Sequence, residues 1–183
     1  FVLTTWQLGP NLYIGNHAGN ETGRYVPPPF LTAAAPGFEE KEFRGEAERS
    51  RGRSLRPSEV SSYYISRTQA EFDFARFLKV TLRRFAEYLN NHEVPDNYNY
   101  DFMRRFSWVL QLPLPGFWML ALFAPLGMIF AWKERKKWGW IYILVPVYFL
   151  SVIFFFVFAR YRLPVIPALM LFSALGLVEL WRR

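Results

Sequence analysis

Residues 108–132, WVLQLPLPGFWMLALFAPLGMIFAW, decide the reading of this chain, because no charged side chain interrupts them. Two further apolar runs follow, residues 138–159 and 163–181, separated from their neighbours only by Lys133-Glu134-Arg135-Lys136-Lys137 and by Arg160-Tyr161-Arg162. About 20 apolar residues in a helix cross the hydrocarbon of a bilayer. Each run is therefore expected to cross once. The expected fold class is an all-α integral membrane protein, with three transmembrane helices over about 108–132, 138–159 and 163–181. They follow a mostly helical extracytoplasmic domain with loops, residues 1–107.

Charge orients the spans. The linker 133–137 has four basic residues against Glu134, and the chain ends on Arg182-Arg183. Basic residues flanking short loops stay on the cytoplasmic side, so this linker and the C-terminus are read as cytoplasmic. Residues 1–107 and the Arg160–Arg162 corner then face the periplasm. Trp108, Trp132, Trp138, Trp140 and Trp181 stand at run ends, where indole rings favour the interface. The whole chain is +7, but residues 1–107 hold 14 Lys and Arg against 13 Asp and Glu, and the remainder 8 against 2. Positive charge beside spans is what topology and anionic lipid require, so no nucleic-acid partner is read from it. Cysteine is absent, which excludes disulfides and thiolate metal sites.

Within residues 1–107 the pattern changes several times. The opening, Phe1 to Pro29, is rich in turn signals such as Gly9-Pro10, Gly15-Asn16 and Pro27-Pro28-Pro29, leaving Leu12-Tyr13-Ile14 as a short strand candidate. Asn20-Glu21-Thr22 fits a glycosylation sequon, although a plain turn is the simpler reading. Early glutamates and late arginines suit a helix over about 38–50. Pro57 with Glu59 marks a helix start for residues 57–70, with Arg56 a poor cap. Over residues 73–90, Phe74, Phe77, Leu78, Leu82, Phe85 and Leu89 recur at helical spacing, with Arg76, Lys79 and Arg83 on another face. Such a helix can lie along a membrane surface or pack on its own domain. The polar segment 91–101 follows, where a lone His92-Glu93 pair is too little for a metal site. No metal ligand set is assigned.

Four landmarks fall in one order: Asn11-Leu12-Tyr13-Ile14-Gly15-Asn16, Leu55-Arg56-Pro57-Ser58-Glu59-Val60-Ser61, Glu93-Val94-Pro95-Asp96-Asn97-Tyr98, and Ser151 through Arg160-Tyr161-Arg162-Leu163-Pro164. In these the chain resembles the C-terminal part of bacterial family 39 glycosyltransferases of the dolichyl-phosphate-mannose mannosyltransferase type. These are polytopic GT-C enzymes of the inner membrane that take a sugar from a polyprenyl-phosphate carrier. The resemblance covers nearly all 183 residues. The sequence departs from the family at Arg56, where threonine is common.

The resemblance implies a carrier-binding C-terminal piece. The family's catalytic acid lies in a first extracytoplasmic loop that no position here matches, so no catalytic residue is carried over. This chain alone is then glycosyltransferase-like without being a complete catalyst, and a preceding part or other membrane chains are its expected partners, together with membrane lipid. Arg160, Tyr161 and Arg162 are the expected lipid-phosphate ligands, since a guanidinium fork matches phosphate oxygens; the plainer role for them is interfacial anchoring. Tyr13, Asn16, Glu93, Asp96 and Tyr98 are the expected sugar or acceptor pocket. The polyprenyl-phosphate-linked sugar is the donor substrate, and no resident cofactor is expected. A second function class is a non-catalytic accessory subunit of a larger membrane complex, whose three spans and aromatic-rich surface would serve other chains.

Overall fold

A computed structural model describes residues 7–32, 36–90, 92, 94, 95, 99–112 and 116–182. Among these the chain is helical, with no strand: α1 (Leu8–Asn16), α2 (Pro36–Arg51), α3 (Pro57–Ala70), α4 (Phe74–Leu89), α5 (Tyr100–Met103), α6 (Trp108–Gln111), α7 (Phe117–Phe130), α8 (Arg135–Phe154) and α9 (Ile166–Trp181). Tight 3-10 turns occupy Ala131–Glu134 and Ala159–Val165. The chain forms two compact units. The first takes the chain up to Arg84 together with Phe154–Phe156, and the second takes Phe85–Ile153 and Val157 onward. Compactness thus divides the chain inside α4, whereas composition divides it near Ser107.

The first unit is built on aromatic rings. Tyr13 of α1, Phe30, Phe43 of α2 and Tyr64 of α3 form one cluster, with Phe43 and Tyr64 edge to face at 4.8 Å and Tyr13 and Tyr64 at 5.4 Å. The Tyr64 hydroxyl donates to the Phe43 carbonyl at 2.9 Å, so its polar end is satisfied where it is fully buried. The segment expected to hold a short strand at Leu12-Tyr13-Ile14 is instead part of α1. Gly9-Pro10 reads as a turn signal, yet both stand in the first helical turn, where amide donors have no intrahelical acceptor and a missing one costs nothing. Gly9 also lets α1 touch α3: its amide donates to Ser61 Oγ at 3.0 Å, and a Cβ there would lie 2.0 Å from the Ser61 carbonyl oxygen.

Helices α2, α3 and α4 follow their sequence signals. α2 turns Phe43 and Ala47, four residues apart, inward, and keeps Glu39 early and Arg49 and Arg51 late. α3 begins at Pro57, and Glu59 accepts the Arg56 amide at 2.8 Å, which supplies the half of a capping box that arginine cannot. At α4 the carboxylate of Asp73 accepts the Arg76 amide at 2.6 Å, capping the helix.

In the second unit α7 and α9 pack on each other through small residues. A Cβ on Gly127 would lie 1.7 Å from the Phe172 carbonyl oxygen, and one on Gly176 would lie 2.5 Å from that of Phe123. Only glycine permits this backbone approach. Around it Tyr88, Phe117, Ala124, Ile141, Leu169 and Phe172 form the buried core. Two apolar stretches, Phe117–Phe154 and Ala159–Trp181, are long and apolar enough to cross a membrane. Their outward faces carry Leu122, Ile129, Ile143, Val147, Leu150 and Leu171, each more than half exposed. Such surface suits hydrocarbon better than water. The first stretch begins at Phe117 and not at Trp108: Trp108–Gln111 is a separate turn of helix, and Leu112 has extended backbone. Pro113 and Pro115 follow in the sequence, and each disfavours the helical conformation at the residue before it.

Replacing Gly127 by Val forces a side chain into the Phe172 backbone and is expected to cost about 1–3 kcal/mol, the range for overpacking a filled interior. Thermal melting in detergent should show a lowered midpoint. Gly139→Ala, where a Cβ would meet nothing within 4 Å, should leave it unchanged.

Candidate functional site

A cavity of about 510 Å³ opens in the first unit, between α1, α3 and the start of α4. Its walls are mainly apolar, with Leu12, Ile65, Phe72, Phe77, Val80 and Phe154, and its polar groups come from Asn16, Asn20, Thr68, Gln69, Asp73 and Arg76. Most of those polar groups are committed to the protein. Asn16 Nδ2 donates to the Leu12 and Phe154 carbonyls at 2.9 and 3.1 Å, and Thr68 Oγ1 donates to the Tyr64 carbonyl at 2.8 Å. Asn20 is buried: its amide nitrogen donates to the Ile14 and Arg24 carbonyls, and its Oδ1 accepts the Thr22 and Gly23 amides. It is a turn-forming asparagine, with Gly23 at φ 78° completing the turn. The sequon at Asn20 therefore presents no accessible amide.

Behind the cavity lies Arg84, a fully buried guanidinium. It donates to the Gly15 carbonyl, to Asn16 Oδ1 at 3.1 Å and to the Phe154 carbonyl at 3.4 Å. Gly15 lies in the last turn of α1 and Phe154 ends α8, so this arginine satisfies carbonyls that helix ends leave without amide partners. Burial pulls its pKa down to about 10. Arg76 does similar work, its Nη2 donating to the Glu71 carbonyl just after α3.

Beside them is a network around Glu71. Its carboxylate accepts the Tyr13 hydroxyl at 3.0 Å, the Ala18 amide at 3.1 Å and Arg67 Nε at 3.2 Å. Partial burial works to raise its pKa, but these three donors outweigh it and the net direction is down. His17 is buried nearby, with Nε2 3.1 Å from the Val26 carbonyl and Nδ1 accepting the Gly19 amide at 3.1 Å. A carbonyl can only accept and an amide can only donate. The ring is therefore held neutral with its proton on Nε2, and burial lowers its pKa.

In the second unit the Ala159–Val165 turn divides its three named residues. Arg162 is buried, with its guanidinium 4.7 Å from the centre of the Phe117 ring. Its Nη2 donates to the Glu87 carbonyl at 2.7 Å, the His92 carbonyl at 3.1 Å and Asn90 Oδ1 at 3.3 Å. It faces inward. Arg160 is exposed, its guanidinium 5.4 Å from the ring centres of both Phe158 and Tyr161. Tyr161 is half-buried, and its carbonyl accepts the Tyr88 hydroxyl at 3.4 Å.

Of the expected sugar or acceptor residues, Asn16 lines the cavity, whereas Tyr13 lies in the aromatic core against Glu71. Glu93, Asp96 and Tyr98 lie outside the described residues. Sequence reasoning missed Arg84, Glu71 and His17. Only Arg84 left a signal, a basic residue between Val80 and Tyr88 on the inward row of α4. Among the described residues no three His, Cys, Asp or Glu side chains converge as a metal site. Comparison with protein-family models, with curated proteins and with solved structures finds no match to this chain.

His17 gives the first unit a pH dependence of definite sign. Unfolded, its pKa returns to about 6.5, above the folded value, so the unfolded chain binds the proton more readily. Stability is fully present above about 6.5 and declines as pH falls through that value toward the folded pKa. Unfolding midpoints compared between about pH 7.5 and 5.5 should drop on acidification, and His17→Gln should flatten that slope.

Proposed function

We propose that this chain is the C-terminal, carrier-binding part of a polyprenyl-phosphate-dependent glycosyltransferase of the bacterial inner membrane, with the catalytic acid supplied elsewhere. The observation that carries this reading is the Ala159–Val165 turn. It presents one guanidinium outward, Arg160, braced by Phe158 and Tyr161 beside the last apolar helix, while Arg162 is occupied inside. A planar fork held by aromatic rings at the head of an apolar helix suits a phosphate whose tail lies in hydrocarbon. Phosphate binding thus falls to Arg160 and Tyr161, and Arg162 supports the turn they sit on. The resemblance in the order of the four sequence landmarks supplies the sugar-transfer half of the reading.

Three crossings fit this proposal. A straight helix over Phe117–Phe154 would measure about 57 Å, nearly twice the roughly 30 Å of hydrocarbon. Instead the Tyr142 hydroxyl donates to the Met128 carbonyl at 2.6 Å across 14 residues, so the chain reverses at Ala131–Glu134. The reversal coincides with the basic linker 133–137, which belongs on the cytoplasmic side.

Two measurements test the reading. In nanodiscs, Arg160→Ala should weaken binding of a polyprenyl phosphate about tenfold, the loss of one charge-assisted contact, with a neutral polyprenol unaffected. Equal binding by the variant, or equal affinity for phosphate and alcohol, overturns carrier binding at this turn. In inverted and right-side-out vesicles, single cysteines at Lys136 and Arg160 should react with an impermeant thiol reagent from opposite sides. Labelling from the same side removes the three-span topology.

A further inference from the structure

The α4 helix has three faces. Val80, Arg84 and Tyr88 point into the protein, Arg76, Lys79 and Arg83 form a basic flank, and Phe74, Leu78, Leu82 and Phe85 make a third row at spacings of four, four and three. That third row is apolar yet open: Phe74 is 69% exposed and Leu82 61%. A helix serving only as a domain wall would place polar residues there. Four basic residues against one glutamate give α4 an excess of positive charge, although Lys79 is 3.5 Å from Glu21 Oε2 and Arg83 donates to the Glu21 carbonyl at 2.6 Å.

The last turn of α4, from Phe85 onward, belongs to the second unit and packs on the apolar helices of that unit. Phe85 meets Phe149 edge to face at 5.3 Å, and Tyr88 meets Phe149 at 4.8 Å and Phe117 at 5.9 Å. Phe117 opens α7 and Phe149 lies in the final turns of α8. The turn is therefore seated where one span begins and another finishes, at a bilayer face and not at its middle.

We propose that α4 is an interfacial helix whose Phe74–Leu78–Leu82–Phe85 row lies among the acyl chains of an anionic bilayer, with Lys79 and Arg83 at the phosphate level. This rests on the membrane reading of α7 to α9. The helix is about 24 Å long, and an apolar row flanked by basic residues is the pattern that binds anionic lipid in the interface plane. The occupant is lipid and not a second protein, because the charge flanking the row matches headgroup phosphates and its last member already packs on the apolar helices.

The native chain has no cysteine, so single nitroxide labels can be placed without background. The full chain, carrying a label at Leu78→Cys, Leu82→Cys or Lys79→Cys, is reconstituted in vesicles of phosphatidylglycerol and phosphatidylcholine. Collision with oxygen is compared with collision with a water-soluble nickel chelate, and Leu177→Cys on α9 serves as the reference for membrane depth. Labels at 78 and 82 should collide preferentially with oxygen and the label at 79 with the chelate, and pure phosphatidylcholine should reduce the depth at 82. Chelate access at 78 and 82 with oxygen preference at 177 overturns the proposal while the spans stand. Chelate access at 177 as well overturns the membrane reading beneath it. Shielding of 78 and 82 from both reagents shows that protein covers the face, and also overturns it.

Discussion

The carbonyl groups that helix ends leave unsatisfied are the constraint on which this structure turns. The chain changes direction many times within or beside apolar material, where water cannot serve those carbonyls, and an unpaired buried one costs about 1–3 kcal/mol. Arginine side chains take the place of water. Arg84 reaches the ends of α1 and α8, Arg76 the residue after α3, and Arg162 the last turn of α4 and the segment beyond it. A guanidinium suits this task because its donors radiate in a plane, and because the negative end of a helix dipole favours a cation. Arg84 donates to the Gly15 and Phe154 carbonyls and to Asn16 Oδ1, and Arg162 to the Glu87 and His92 carbonyls and to Asn90 Oδ1.

That constraint explains which parts of the fold were legible in the sequence. Periodicity and start signals placed α2, α3 and α4 within a residue or two, because Pro57, Glu59 and the apolar spacing of Phe74 to Leu89 act locally. α1 was not legible, since Gly9-Pro10 signals a turn equally well outside a helix or in its first turn, and the choice is made by the aromatic cluster and by Ser61, 52 residues from Gly9. Residues 108–132 do not form one continuous helix, and hydropathy does not register the extended backbone at Leu112 that interrupts them.

The site was legible in part for a related reason. A fork that fits phosphate also fits backbone carbonyls, so Arg160 and Arg162 look alike in sequence and differ only in which way the Ala159–Val165 turn faces them. Likewise Tyr13 and Asn16 lie three residues apart in one motif, yet one enters the aromatic core and the other the cavity wall. His17 and Glu71 gave no warning, because their network is assembled from segments with no shared pattern.

The glycine contact between α7 and α9 also has a mechanical side. Two helices whose backbones touch cannot slide or rotate against each other without collision between Gly127 and the Phe172 carbonyl, so they behave as a single stiff beam. α8 meets this pair through side chains, with Tyr142 reaching the Met128 carbonyl and the Phe172 ring. Side chains change rotamer at small cost where backbones cannot shift. Flexing among these three helices is therefore concentrated in α8, pivoting on Tyr142 at one end and on the aromatic contact of Phe149 with Tyr88 at the other.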